Sequence, residues 1–320
     1  MAPETRDRAA AERPVFTRQD AWFLLELPLL AAIATLLPET GWRRLCVRLE
    51  RLKAAIGAFS PARIEAGLRL LRGAATAPED AIRVAAARSE HHLQILRELI
   101  RGWSAPIELS GAEHVAAARR EGRGAVLWVA HFSFNALAAK KALHAAGFAV
   151  AHLSRPEHGF SKSRFGIAWL NPLRIRSELR FLDGRIVIDR DRPAAAMLRA
   201  QRRLLDNGIV SITAGAWEGA RPARVTIAGA EFALSTGAPG LAHVTGAALL
   251  PVYTVRDEGS LAIAVIVGSP IPVDRAAGRK PAVAAAAQEF ANRLAPYVER
   301  HPLQWRDWEK LRRPSDPPAR

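Results

Sequence analysis

His131 closes the apolar run VLWVA (Val126–Ala130) and opens the segment HFSFNAL. Ala125–Ala130 is short, uncharged and β-rich, with the turn-forming EGRG ahead of it, so it reads as a buried strand. Asn135, Ala138, Ala139, Lys140, Ala142 and Leu143 then read as a helix ending near Gly147. A histidine at a strand-to-helix junction faces the edge of an open α/β sheet outside which ligands bind. Such a histidine is suited to general-base chemistry, the alternative being a core or capping histidine. A base also needs an acceptor on its second ring nitrogen to fix the tautomer.

Other chemistry-bearing residues point elsewhere or nowhere. The single cysteine, Cys46, excludes an intrachain disulfide and a cysteine-based zinc cluster, and WRRLCVRL reads as a packed helix rather than a nucleophile's setting. The nine histidines lack metal-ligand spacing: His91 and His92 are adjacent, and His131, His144, His152 and His158 show no i, i+4 pairing with a carboxylate. No metal is therefore expected. In GAWEGARP, Gly215 and Gly219 permit close backbone approach to a ligand, or simply make a turn.

A formal charge of +15 invites a nucleic-acid reading. The basic residues are nearly all arginines spread along the chain, without the aromatic interleaving of a base-stacking face, so no nucleic acid is expected. A basic surface also suits anionic membranes, at about 1 kcal/mol per nearby basic residue, and acidic partners such as an acyl carrier protein or the phosphates of coenzyme A.

The elements that must position His131 follow from patterning. Residues 1–20 carry charges of both signs and read as disordered, with no signal peptide. Residues 21–105 read as helical and membrane-proximal. Within them, Trp22–Leu37 is apolar over 16 residues but interrupted by Glu26 and Pro28, too short to span where ~20 are needed. Trp42–Phe59 alternates apolar and basic residues at helical spacing, either as an interfacial helix or as a helix packed on its own domain. From 106 to 311 strands and helices alternate, with strands at 125–130, 149–154, 185–188, 209–213, 224–227, 249–255 and 261–267. Helices are expected at 194–206, 237–245 and 282–298. The expected class is α/β, a mixed central sheet flanked by helices with an N-terminal helical lead that associates with membrane. Residues 312–320 are expected to form a flexible tail.

His131-Phe132, SRP (Ser154–Pro156), GIVSITAGAWEG (Gly208–Gly219), STGAPGLAHVTGAALLPV (Ser235–Val252) and HPLQW (His301–Trp305) together resemble the lysophospholipid acyltransferase superfamily. The nearest likeness is to its bacterial lipid A and phosphatidylinositol mannoside acyltransferases, over Trp22 to Trp308. The most specific parts are the run ending in Pro251 and the tail Pro302, Gln304 and Trp305. The resemblance implies transfer of a fatty acyl group from an acyl-carrier-protein or coenzyme A thioester to a lipid, glycolipid or amine. No bound cofactor is implied, and the setting is peripheral on the cytoplasmic face of a bacterial inner membrane. It also gives Arg155 as a phosphate-binding arginine, and Arg164 after it either as a second one or as an ordinary surface arginine.

One departure stands out. The family's orienting Asp or Glu follows the histidine at a position that here is Ala136, and the segment Gly215–Trp217 lacks its usual acids. Three explanations compete. Asn135 orients His131; Glu218 or Glu157 comes in from another loop; or the chain is a catalytically degenerate paralogue that binds acyl chains or an acyl carrier protein.

Overall fold

The computed structural model describes residues 13–189, 192–215 and 222–313. Four helices lead: α1 (Arg18–Leu36), α2 (Trp42–Ala55), α3 (Ala62–Arg72) and α4 (Asp80–Arg101). Helix α1 begins inside the stretch expected to be disordered. Thr17 and Asp20 cap each other's backbone, the Asp20 amide donating to Thr17 Oγ1 and the Thr17 amide to Asp20 Oδ2 at 2.6 Å. This reciprocal cap satisfies donors that a helix start otherwise leaves orphaned, and it lay unread in the sequence. Helix α4 is the hub of the lead. It packs on α1, α2 and α3, and also on the C-terminal segment.

The α/β part runs β1 (Ile107–Ser110), α5 (Ala112–Arg120), β2 (Ala125–Val129), α6 (Asn135–Ala145), β3 (Val150–Ser154), α7 (Asn171–Leu179), β4 (Gly184–Val187), α8 (Pro193–Leu205), β5 (Ile209–Thr213), β6 (Pro222–Ile227), β7 (Ala230–Ser235), α9 (Gly237–Thr245), β8 (Ala248–Arg256), β9 (Ile263–Val267) and α10 (Arg279–Arg300). Seven strands form one mixed sheet in the order β1-β9-β8-β2-β5-β3-β4. From β8 to β4 all neighbours are parallel, while β9 runs antiparallel to β8 and β1 parallel to β9. The segment expected as a strand at 224–227 does not join this sheet. It forms an antiparallel hairpin with β7, which alternation alone did not reveal.

Strand β2 is central and buried along its whole length, as an uncharged parallel strand covered on both faces must be. Its two faces feed two cores. Val126 and Trp128 join the α8, α9 and α10 side, where Trp128 stacks on Phe290 at 4.2 Å between centroids. Ala125, Leu127 and Val129 join the α5 and α6 side. A third core unites α1, α2 and α4 with Phe160 and Leu170, and Cys46 lies wholly buried within it. Burial pushes the Cys46 thiol up, leaving it unreactive at neutral pH.

Candidate active site

Strand β2 carries the chain to His131 immediately beyond Val129, at the carboxyl edge where β5, β8 and β3 also end. The register Val129↔Thr213 and Val129↔Val252 places the chain after β5 beside it, and the Ala214 amide donates to Val129 O at 2.7 Å.

The C-terminal segment crosses this edge and is fastened to it at several points. Gln304 receives the Arg256 amide at 2.8 Å and donates back to Arg256 O at 2.7 Å, binding the segment to the end of β8. The Ser133 amide donates to Gln304 O, and the Arg306 amide donates to His131 O at 3.0 Å. Trp305 is fully buried and bridges to Phe132. The tail residues Pro302, Gln304 and Trp305 thus form a clamp across the strand ends.

That clamp brings a carboxylate to His131. His131 Nδ1 lies 2.9 Å from Asp307 Oδ1, and the Asp307 side chain is only 3% accessible. Lys310 Nζ approaches the same oxygen at 2.7 Å. Burial alone would raise the Asp307 carboxyl, but Lys310 and His131 outweigh it and hold the group well below the usual carboxylate range. Asp307 is therefore ionised at neutral pH, and it fixes the tautomer in which Nδ1–H donates to it and Nε2 carries the lone pair. Burial pulls His131 below its ordinary value, with Arg306 and Lys310 pulling the same way against Asp307, so the ring is neutral at pH 7. Its side chain keeps 28% accessibility, so the ring can be reached from solvent.

Among the sequence candidates, Asn135 does not orient the ring. It is buried, and its amide donates to Ala130 O at 2.9 Å, closing the turn between β2 and α6. Glu157 pairs with Arg13 instead. Glu218 and Gly219 lie outside the described residues. Gly215 does belong to the site: with φ +149°, a Cβ there would stand 3.3 Å from Lys310 Nζ and 3.7 Å from Asp307 Oδ2. Arg155 follows β3, its carbonyl accepting from Arg185 at 2.6 Å. Arg164 is exposed, and its amide donates to Pro14 O. Asp307 escaped sequence reading because it is 176 residues from its partner. The available signal was a lone acid between two tryptophans, Trp305 and Trp308, in a segment destined for burial.

Behind His131, α4 packs against α7 and against the tail. Arg306 and His92 are set deep yet keep partial solvent access, as does His131. Burial, with Arg88 and Arg174 nearby, lowers Arg306 to about 9, so it stays charged at pH 7. Glu178 gathers Lys140, His158 at 2.8 Å and Arg174 at 2.7 Å, a buried junction that ties α6 to α7. His92 packs edge-on against Phe160 and Phe23. Among the described residues no group of three or more His, Cys, Asp or Glu side chains is placed to hold a metal ion.

No family model matches the chain, and no curated protein matches it.

Proposed function

We propose that the protein is an acyltransferase in which His131, held by Asp307, is the general base. The observation that carries this reading is the 2.9 Å contact between His131 Nδ1 and the buried Asp307 at the carboxyl edge of the sheet. A histidine oriented by a buried carboxylate and kept neutral can take a proton through Nε2. In the proposed step an acceptor hydroxyl or amine loses its proton to Nε2 as its oxygen or nitrogen bonds to the carbonyl carbon of an acyl thioester. The tetrahedral intermediate collapses with cleavage of the C–S bond, and the imidazolium returns the proton to the departing thiolate. No covalent enzyme intermediate forms and no bound cofactor enters. The donor class, an acyl-carrier-protein or coenzyme A thioester, and the lipid, glycolipid or amine acceptor are taken from the lysophospholipid-acyltransferase resemblance of the sequence.

The outer surface supports a peripheral setting at the inner face of a bacterial inner membrane. Helix α1 buries Phe23, Leu30 and Ile33 but exposes Leu24, Leu25, Leu29 and Leu36. Helix α2 turns Arg44, Arg48 and Arg51 outward, and with Arg43, Arg83, Glu79 and Glu258 they line a groove of about 440 Å³ in which Arg51 pairs with Glu79 and Arg43 with Glu258. Exposed leucines on α1 and outward arginines on α2 fit an anionic bilayer surface, each basic residue free of an acidic partner adding about 1 kcal/mol.

Thiol release from acyl-carrier-protein and coenzyme A thioesters, in the presence of lipid and amine acceptors, tests the chemistry. Activity should be present in the parent and fall at least 100-fold in His131→Ala. A folded His131→Ala variant with the parent's rate would contradict it, and a parent inert with every donor would favour the acyl-binding alternative. Flotation with anionic vesicles tests the setting. Co-flotation that weakens with salt is expected, and a protein left at the bottom of the gradient at low salt would overturn the membrane placement.

A further inference from the structure

Arg306 is fixed on both sides of its side chain by the site. Its amide donates to His131 O at 3.0 Å, its carbonyl accepts from Arg88 Nη2 at 2.7 Å, and the next residue, Asp307, holds the His131 ring. Neighbouring charges are already engaged. Arg88 pairs with Glu309 at 3.0 Å, Arg174 with Glu178, and Asp307 with Lys310 and His131. The Arg306 guanidinium makes no hydrogen bond or ion pair with a described residue, and its Nε is buried without a partner. The two fully buried ring nitrogens of His91 and the buried side-chain oxygen of Ser133 are likewise unpaired.

Arg306 keeps partial solvent access, with only its Nε buried, so its terminal fork is open, and a largely enclosed cation gains by pairing with an anion. Asp307 and Glu309 attract Arg306 only through space and hold partners of their own, so the open fork is left for the charge of a ligand. The planar fork of arginine matches two oxygens of a phosphate or carboxylate. We infer that Arg306 is an anion seat beside His131, which receives a phosphate or carboxylate group carried by the substrate and so places the reacting atom against Nε2. The inference deepens the acyl-transfer reading by assigning a charged group to the substrate bound in that site. The seat itself does not depend on turnover.

Inorganic phosphate is the probe, and the imidazole of His131, followed by NMR in isotope-labelled full-length protein across pH, is the reporter. An anion held by Arg306 stabilises the His131 imidazolium against the opposing pull of Arg306 and Lys310. Phosphate should therefore move the His131 titration upward and saturably in the parent. The shift should vanish in Arg306→Gln and persist in part in Arg306→Lys. A His131 titration indifferent to phosphate in the parent, which needs no variant to fold, overturns the seat. A shift of the same size in Arg306→Gln also overturns it. Phosphate-dependent shifts in a protein that transfers no acyl group would leave the seat standing while the acyltransferase reading fails.

Discussion

At the scale of single residues, the site turns on which carboxylate serves His131. A structure that kept the histidine and left Ala136 opposite it would have had an imidazole free to choose either tautomer. Asp307 removes that freedom: buried, ionised and bonded to Nδ1, it leaves the lone pair on the accessible nitrogen. Asn135, the nearest polar neighbour in sequence, is consumed in the turn. Asp307→Asn keeps shape and volume while removing the charge that stabilises the imidazolium. It should therefore cost about 10²- to 10⁴-fold in rate, together with some stability, because the ionised group also pairs with the Lys310 and His131 side chains. Ala136→Glu, which would rebuild the arrangement of the acyltransferases that the sequence resembles, would instead place a second carboxylate at a buried helix position where the ring already has Asp307.

At the scale of elements, the strand and helix that present His131 were legible because their signals are local. An uncharged β-rich run, a preceding turn and a following helical pattern place residues 125–145 within a residue or so of the observed β2 and α6. The clamp was not legible, because nothing in Gln304, Trp305 or Asp307 states which strand end they will cross. That is settled by long-range bonds to Arg256, Ser133 and His131. The hairpin β6–β7 was half read for a similar reason, since alternation marks a strand but not its partner. Helix α3 supports the clamp from below. A Cβ on Gly67 would lie 2.0 Å from Trp308 O, so only glycine lets the helix approach the turn that holds Asp307. Gly67→Ala should push that turn away, costing about 1–3 kcal/mol of stability. It should also weaken acyl transfer, although the substitution touches neither His131 nor Asp307. Urea unfolding and the thioester assay measured together check this, and unchanged values in both would show that the turn adapts.

At the scale of the whole molecule, several histidines are carried uncharged inside the fold. His91 is fully buried with neither ring nitrogen bonded, and burial, followed by Arg174 and Arg306, holds it well below its ordinary value. His152, paired with Ser211 at 2.8 Å, is held down by burial and Lys140. Because their folded values lie below the unfolded value of about 6.5, the unfolded chain binds more protons as pH falls through that point. Each such group removes up to about 1.4 kcal/mol of stability per pH unit. The depressed carboxylates Asp307 and Glu178 act in the same direction only below their unfolded values near 4. Stability should therefore drop between pH 7 and 5, and His91→Leu, which removes two unpaired polar atoms, should flatten that slope. Urea midpoints across this range test it, and a slope unaffected by His91→Leu would contradict the assignment.

The fold joins distant parts of the chain: a central strand carries His131, the tail clamp carries Asp307, and helix α4 of the lead packs against that clamp. The most direct test of this account is thiol release from an acyl thioester by the parent and Asp307→Asn proteins, measured side by side at pH 7 with folding confirmed in both. The account requires a loss of at least 100-fold in Asp307→Asn. Equal rates would show that His131 works without Asp307, and would contradict the dyad on which the proposed function rests.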